Sequence, residues 1–481
     1  MTDKHENIQF ETEDGIDNST RKLAVVTRIK SIAPIPEADR VVAVTFTANS
    51  WVCVAAKDEY QVGDPCVFWE IDSFLPKDER YDGILAKCLK TMRGQEGYRL
   101  RSQRFRGQIS QGFSMPLSKF PELYHNAEDG TDVTAILGVR VYQKPATGKL
   151  GFNIGSPLGD FPTHLCRKTD QLRIQSMGTE VLGLFDHKFE VTEKLDGSSC
   201  TMILHRRETP ASDCSVNPCI CETTDPEPIL EGEFYVCSRN LVLKPPGKEI
   251  VHCSRPLQED EMPVETGCDS DIFWQKPDGT WMRKESVETE VKSVYWNMAH
   301  RYNVEERLMR WCKEHDGSIA IQGEIVGFGI QKNPLGLNDV QFFVFDIFDI
   351  RRQRYFPASA RHTVIDELNS YDVEGDKIQH VPVLGYQTIT PGNNHIVEAT
   401  ETMSEHTRSY LAKYGNTDDC PSWSIFVGAV VDRVVNDLVK QAEGTTFTGA
   451  KHREGLVFKS VANPSISFKV INNQFLLAEK D

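Results

Sequence analysis

Apolar positions come in short bursts over the first hundred residues and at longer, helical spacing further on. KLAVVTRIKSIAPIP, RVVAVTFTA, SWVCVAA, DPCVFWEIDSFLP and QISQGFSMPL are rich in Val, Ile and Phe, the composition of strands. PEAD, DEYQVGD and LPKDER mark turns between them. About five short strands between Arg21 and Leu117 predict a small β-barrel. Later, KSVYWNMAHRYNVEERLMRWCKEH carries apolar residues at helical spacing. IAIQGEIVG, VQFFVFDIFDI, GLVFKS and SISFKVI read as strands. The polar, acidic stretch 1–20 reads as a disordered tail. Residues 21–120 are expected to form the barrel, 121–185 a Gly- and Pro-punctuated connector, and 186–481 a second domain. Two stretches of that domain read as insertions, near 206–229 and 391–450.

The chain has 481 residues, room for two to four domains and a large core. With 54 basic and 70 acidic residues the net charge is −16. Such a protein is no general polyanion binder, so any nucleic-acid surface must be local. One candidate stands out. Lys87, Lys90, Arg93, Arg99, Arg101, Arg104 and Arg106 fall together, with Glu96 as the acid among them. This is either a solvated face or a groove that tracks phosphates. No signal peptide, transit peptide or membrane span is seen. The 13 cysteines lack framework spacing. Free thiols in an intracellular compartment, cytoplasm or nucleus, are expected. Cys214, Cys219 and Cys221 lack the matched pairs of a zinc site.

Lys194 ends a β-branched run and enters Leu195-Asp196-Gly197. Lysine is seldom buried, so this is either a surface hairpin or a reactive amine. Further blocks follow in order: Ser238-Arg239-Asn240, Gly323-Glu324, Phe345-Asp346, Glu454-Gly455 through Lys459, and Phe468-Lys469. Each lies in or beside an expected strand. Together, in this order, they resemble the covalent nucleotidyltransferases: DNA ligases, RNA ligases and capping enzymes.

The resemblance implies an α+β protein. An N-terminal OB-type β-barrel precedes a nucleotidyltransferase (ATP-grasp-like ligase) domain of antiparallel sheets with flanking helices. RKLAVVTRIKSIAPIPEADR, VGDPCVFWEIDSFLP, FRGQISQGF, KTDQLRIQS and SFKVINNQFLL resemble the RNA ligases that carry the barrel first. It implies ATP as the nucleotide, Mg²⁺ or Mn²⁺ as the metal, and Lys194 as the amine that takes AMP. Such a lysine must lose its proton, which burial and nearby cations favour. Asp196, Glu324 and Glu454 are the implied metal residues, some acting through water. Glu193 is implied at the adenine amine and Phe345 on the adenine face. Arg239 is implied at a phosphate or ribose oxygen, and Lys459 and Lys469 on the triphosphate. The implied partner is RNA, at a nick in a duplex, with the protein a monomer. One position departs: such ligases often carry two lysines two apart in the last block, and the first is Ser467 here. The rivals are a capping guanylyltransferase, which would use GTP, and an RNA-binding protein with an inactive catalytic domain.

Overall fold

The computed structural model describes residues 21–126, 128–143, 154–206, 232–256, 273–275, 281–290, 292–414 and 422–478. The expected tail, nearly all of the first insertion and Cys214, Cys219 and Cys221 lie outside them.

Alternation along Ala24–Pro34 builds the first unit. This strand is the middle of a five-stranded antiparallel sheet. Its neighbours are Pro65–Trp69 and Val41–Phe46, with Phe113–Pro116 and Val52–Ala56 at the edges. Successive side chains enter opposite cores. Ala24 and Val26 pack with Val67, Trp69, Leu75 and Tyr98. Val25 and Ile29 pack with Val44, Phe46, Trp51 and Phe68. Ile471 and Leu476, from the chain's far end, complete that second core. The SFKVINNQFLL ending therefore ties the barrel to the rest of the molecule.

A four-stranded sheet of Arg140–Val141, Ser73–Pro76, Gln95–Arg99 and Leu89–Met92 completes the unit. The hydrophobic pattern did not mark its last two strands, because Lys90, Thr91, Gln95, Glu96 and Arg99 interrupt them with polar residues. A hairpin, Gln103–Phe105 with Gln108–Ser110, projects beyond them. The stretch expected as a connector is shared out. Arg140–Val141 joins the first unit, while Pro157–Asp160 and Leu172–Arg173 join sheets of the second.

The second unit is built on two sheets. The larger runs Pro157–Asp160, Leu241–Leu243, Gly232–Cys237, Ser198–Arg206, Ile319–Gly327, Val340–Asp349 and Arg354–Tyr355, with Gln379–His380 beside Val340–Asp349. Helices Val294–Arg301, Val304–Glu314 and Ala358–Ser370 cover one face through Trp296, Leu308, Trp311 and Leu368. The smaller sheet runs Leu172–Arg173, Ser467–Ile471, Gly455–Ser460, Lys188–Lys194 and Val383–Thr388. Lys248–Pro256, Phe273–Gln275 and Trp281–Glu290 form a separate three-stranded sheet.

Helix Ser422–Gln441, within the stretch read as an insertion, is part of the core. Val431, Val434, Val435 and Leu438 recur at i, i+3, i+4 and i+7 and pack on Phe189, Phe458 and Phe468. On its other side Asp432 accepts from Lys30 at 2.7 Å and from Ser50 Oγ at 2.8 Å, both in the barrel unit. The helix therefore braces one unit against the other. Replacing Leu438 by Ala should cost about 2–5 kcal/mol, the range for a buried leucine. Denaturant unfolding measures it; a loss below about 0.5 kcal/mol would mark the helix as a surface appendage.

Candidate active site

Strand register assembles the site. Lys188–Lys194 pairs with Gly455–Ser460 so that Lys194 lies opposite Gly455, Thr192 opposite Val457, and Glu190 opposite Lys459. Residues two apart share a face, so these six form one continuous floor. Gly455 keeps the adjoining strand close: a Cβ there would lie 2.1 Å from the Val470 carbonyl oxygen. Gly197 has the same role after Lys194, where a Cβ would lie 2.3 Å from the Ile325 carbonyl oxygen. The glycines beside the motif carboxylates thus serve backbone approach, and the approach brings the carboxylates together.

The result is a cavity of about 360 Å³ between the two sheets. All nine residues singled out in the sequence line it: Glu193, Lys194, Asp196, Arg239, Glu324, Phe345, Glu454, Lys459 and Lys469. Lys194 Nζ lies 2.7 Å from Glu454 Oε2. Burial alone would lower the lysine's pKa, but Glu454, Glu324 and Asp196 raise it instead. Glu324 bears the counterpart: burial, with Glu454 and Asp196 adding to it, pushes its carboxyl up to about 8. Three carboxylates converge on one ammonium. That donor set fits a hydrated divalent cation.

Glu193 is buried, and burial raises its carboxyl to about 7. Its Oε1 has no hydrogen-bond partner. A buried, unpaired acceptor is costly, so the position suits a ligand that brings a donor. Phe345 reaches the cavity through a β-bulge. Gln322 pairs with Asp346 but Gly323 with Val344, which leaves Phe345 as the extra residue. Phe342, Val344 and Ile347 therefore enter the core under the helices, Phe343 packs with Leu195, Val326 and Leu335, and Phe345 borders the cavity.

The cations each have a carboxylate partner. Lys469 Nζ lies 2.6 Å from Asp170, and Arg239 lies 3.3 Å from the same side chain. Burial brings Lys469 down to about 8. Lys459 is buried, paired with Asp346, and donates to the Phe345 carbonyl oxygen at 3.3 Å. Its ammonium has three N–H donors, two of them engaged by Asp346 and the Phe345 carbonyl, and Lys459 lines the cavity. Asp346 also faces Arg361, which pairs with Glu190; Glu190 in turn meets His362 and Tyr386.

Asp170, Glu190 and Arg361 also line the cavity and were not singled out in the sequence. Asp346 carried a usable signal, because a carboxylate in an otherwise apolar strand requires a buried cation. Arg361, within a helix of ordinary composition, carried none.

A larger cleft opens beyond Lys194 and Lys469, between the barrel unit and the catalytic unit. Arg21, Arg99 and Tyr142 line its barrel side. Arg99 is the member of the expected basic cluster that lines it, 4.4 Å over the Tyr142 ring. Arg104 and Arg106, with Phe105, are exposed on the projecting hairpin.

One consequence is testable in metal-free protein. Raising the Glu324 carboxyl from 4.5 to about 8 makes folding take up a proton between those values. The native state therefore loses stability as pH rises through that window. Glu324→Gln removes this loss. The variant should match the parent below pH 4 and exceed it at pH 9 by on the order of 2 kcal/mol, less than the full shift because the side chain is partly solvated. Equal urea midpoints at pH 9 would contradict the origin given for the shift.

Comparison with known proteins agrees with this architecture. A model described as an OB-fold domain matches residues 23–117, and one described as RNA ligase matches residues 272–471. Among curated proteins none matches. Several solved structures of Naegleria gruberi RNA ligase are similar at 28% identity. A mutant with AMP and Mn gives a TM-score of 0.64 over 96% of this chain and 100% of that one. A mutant with ATP and Mn gives 0.63 over 95% and 99%. The enzyme with PPi gives 0.61 over 95% and 98%. With its barrel leading and its motif blocks gathered on one cavity, the chain is an ATP-dependent RNA ligase with an N-terminal OB-fold domain.

Proposed function

We propose that this ligase joins a 3′-hydroxyl RNA end to a 5′-phosphate end at nicks in duplexes, carrying AMP first on Lys194 and then on the 5′ end. The observation that supports this most is the Lys194 amine at the floor of the cavity, 2.7 Å from Glu454 and between the orphaned Glu193 acceptor and Lys469. ATP binds with its adenine amine donating to Glu193 and its ring against Phe345. Arg239 and Lys469 turn from Asp170 to phosphate or ribose oxygens. Lys459, held by Asp346, contacts the nucleotide from beside Phe345. Asp196, Glu324 and Glu454 would hold a divalent cation, Mg²⁺ or Mn²⁺, in part through water, and it would offset the carboxylate charge that keeps Lys194 protonated. The neutral amine attacks the α-phosphorus. A P–N bond forms, the P–O bond to pyrophosphate breaks, and Glu454 is the nearest acceptor for the amine's proton. AMP then passes to the 5′-phosphate as a 5′-5′ pyrophosphate. The 3′-hydroxyl attacks that phosphate, expels AMP and closes the strand.

Residues 21–120 act as the nucleic-acid-binding domain and 186–481 as the adenylyltransferase, with 121–185 joining them. The barrel grips the duplex through the Lys87–Arg106 cluster. The protein works as a monomer in the cytoplasm or nucleus. The seven cysteines whose side chains are described are free thiols, as a reducing compartment permits. Among the described residues no helix is long and apolar enough to cross a membrane.

Incubation with α-labelled ATP and Mg²⁺ or Mn²⁺ should leave acid-labile label on the protein, and Lys194→Ala should abolish it. Label from GTP alone would point to capping chemistry. No label from either nucleotide would point to a binding protein with an inactive catalytic domain. Reversing the charges of Lys87, Arg104 and Arg106 together should weaken nick sealing and lower its salt dependence by about one logarithmic unit per lost phosphate contact. Unchanged sealing would remove the cluster from the RNA surface.

A further inference from the structure

The loop after Ile319–Gly327 has a backbone that its sequence does not favour. Gln331, Lys332 and Asn333 are consecutive non-glycine residues at φ of 44°, 62° and 49°. The left-handed region is disfavoured for residues with a Cβ, and a run of three persists only where the surroundings enforce it. They do so here. Ile330 is buried in the core ahead of the run, and Leu335 is buried behind it. The Asn333 side chain clamps the turn, donating to the Leu337 carbonyl at 2.7 Å and accepting from its N–H at 3.0 Å. A second loop buttresses the first: Thr448 Oγ1 donates to the Leu335 carbonyl at 2.8 Å. That loop is closed by the Thr446 N–H to the Lys451 carbonyl at 2.8 Å and by a bridge between Thr445 and His452.

The two loops form one wall of the interdomain cleft, opposite Arg21 and Arg99 of the barrel. Gln331 lines both this cleft and the nucleotide cavity, so the strained turn stands where they meet. Most cations of the cleft are engaged: Arg99 lies over the Tyr142 ring and Lys194 is held by Glu454. Arg21, Arg173, Arg239 and Lys469 are held by Glu70, Asp72, Asp170 and Asp170. Lys332 and Lys451 line the cleft, are exposed, and make no ion pair with any described residue. Two unpaired ammonium groups, one on each of these buttressed loops, on a cleft that Lys194 also lines, are placed for backbone phosphates, the main source of affinity for nucleic acid.

We propose that the Gln331–Lys332 turn and Lys451 form an RNA-phosphate clamp on the catalytic unit, gripping the backbone next to the ends being joined. This deepens the nick-sealing reading and rests on it. The barrel would hold the duplex from one side of the cleft and this clamp from the other.

The test uses the full chain and a nicked RNA duplex that already carries AMP on its 5′ end. Lys332→Ala combined with Lys451→Ala should lower the salt slope of duplex binding by about two, one per lost phosphate contact. It should also reduce sealing at least tenfold more than it reduces AMP uptake from ATP alone. Lys332→Arg should restore most of the sealing. Lys332→Gly accepts the left-handed backbone, so its loss of sealing should come with no fall in thermal midpoint. Wild-type sealing and salt slope in the double variant would overturn the clamp. An equal loss of AMP uptake would also overturn it, because the ammonium groups would then serve the triphosphate. Binding is read independently of turnover. An unsubstituted chain that takes up no AMP therefore overturns the ligase reading, while the salt slope still decides the clamp.

Discussion

The pairing of Lys188–Lys194 with Gly455–Ser460 is the constraint on which the site depends. A strand has a side-chain period of two, so a slip of one residue would turn Lys194, Thr192 and Glu190 to the opposite face. Nothing in the chemistry could compensate for that. The register is held from behind, where Phe189, Val191, Leu456, Phe458, Phe468 and Val470 pack under helix Ser422–Gln441. Each strand thus carries an apolar face that fixes alignment and a polar face that uses it. The core hydrophobes position Lys194 as surely as its ion pair does.

The same division explains what could be read in the sequence. Three of the motif blocks were legible because each is a short run with a charged side chain close to a glycine, Gly197, Gly323 or Gly455, that lets the strands close in. Lys194 with Gly197, and Glu454 with Gly455, announce themselves locally. Asp170, Glu190 and Arg361 did not, because their meaning lies in partners distant in the chain. Glu190 and Arg361 are 171 residues apart and meet only when the smaller sheet and helix Ala358–Ser370 are assembled. Helix Ser422–Gln441 was visible as a periodic pattern, but its place was not. A stripe of Val and Leu says that something covers it and not what. In the barrel, Leu89–Met92 and Gln95–Arg99 escaped because a strand interrupted by polar residues lacks the hydrophobic signature.

The two units are joined by polar and apolar contacts of different reach. Ile471 and Leu476 bury themselves in the barrel's second core, which fixes the distance between units. Around that plug, Asp432 receives Lys30 and Ser50, Arg173 meets Asp72, and Trp51 Nε1 donates to Ser176 Oγ at 3.2 Å. Arg173 is also the parallel neighbour of Lys469. The barrel therefore reaches the Lys469 end of the cavity through two residues, Asp72 and then Arg173. Its orientation and the charge balance near Lys469 are properties of one connected assembly.

The bulge at Phe345 has an effect on connection as well as on aim. In a regular strand, neighbouring side chains point apart, and a tilt of one is absorbed by the backbone between them. Here the extra residue puts Phe345 on the cavity and Asp346 on the Lys459 ion pair in immediate succession. The Phe345 carbonyl is itself bonded to the same ammonium. Phe345 and Asp346 are thus tied to one ammonium. The contacts run on from Asp346 through Arg361 to Glu190, and from there to His362 and the exposed Tyr386. One continuous set of side-chain contacts joins the cavity to the outer surface of the sheet.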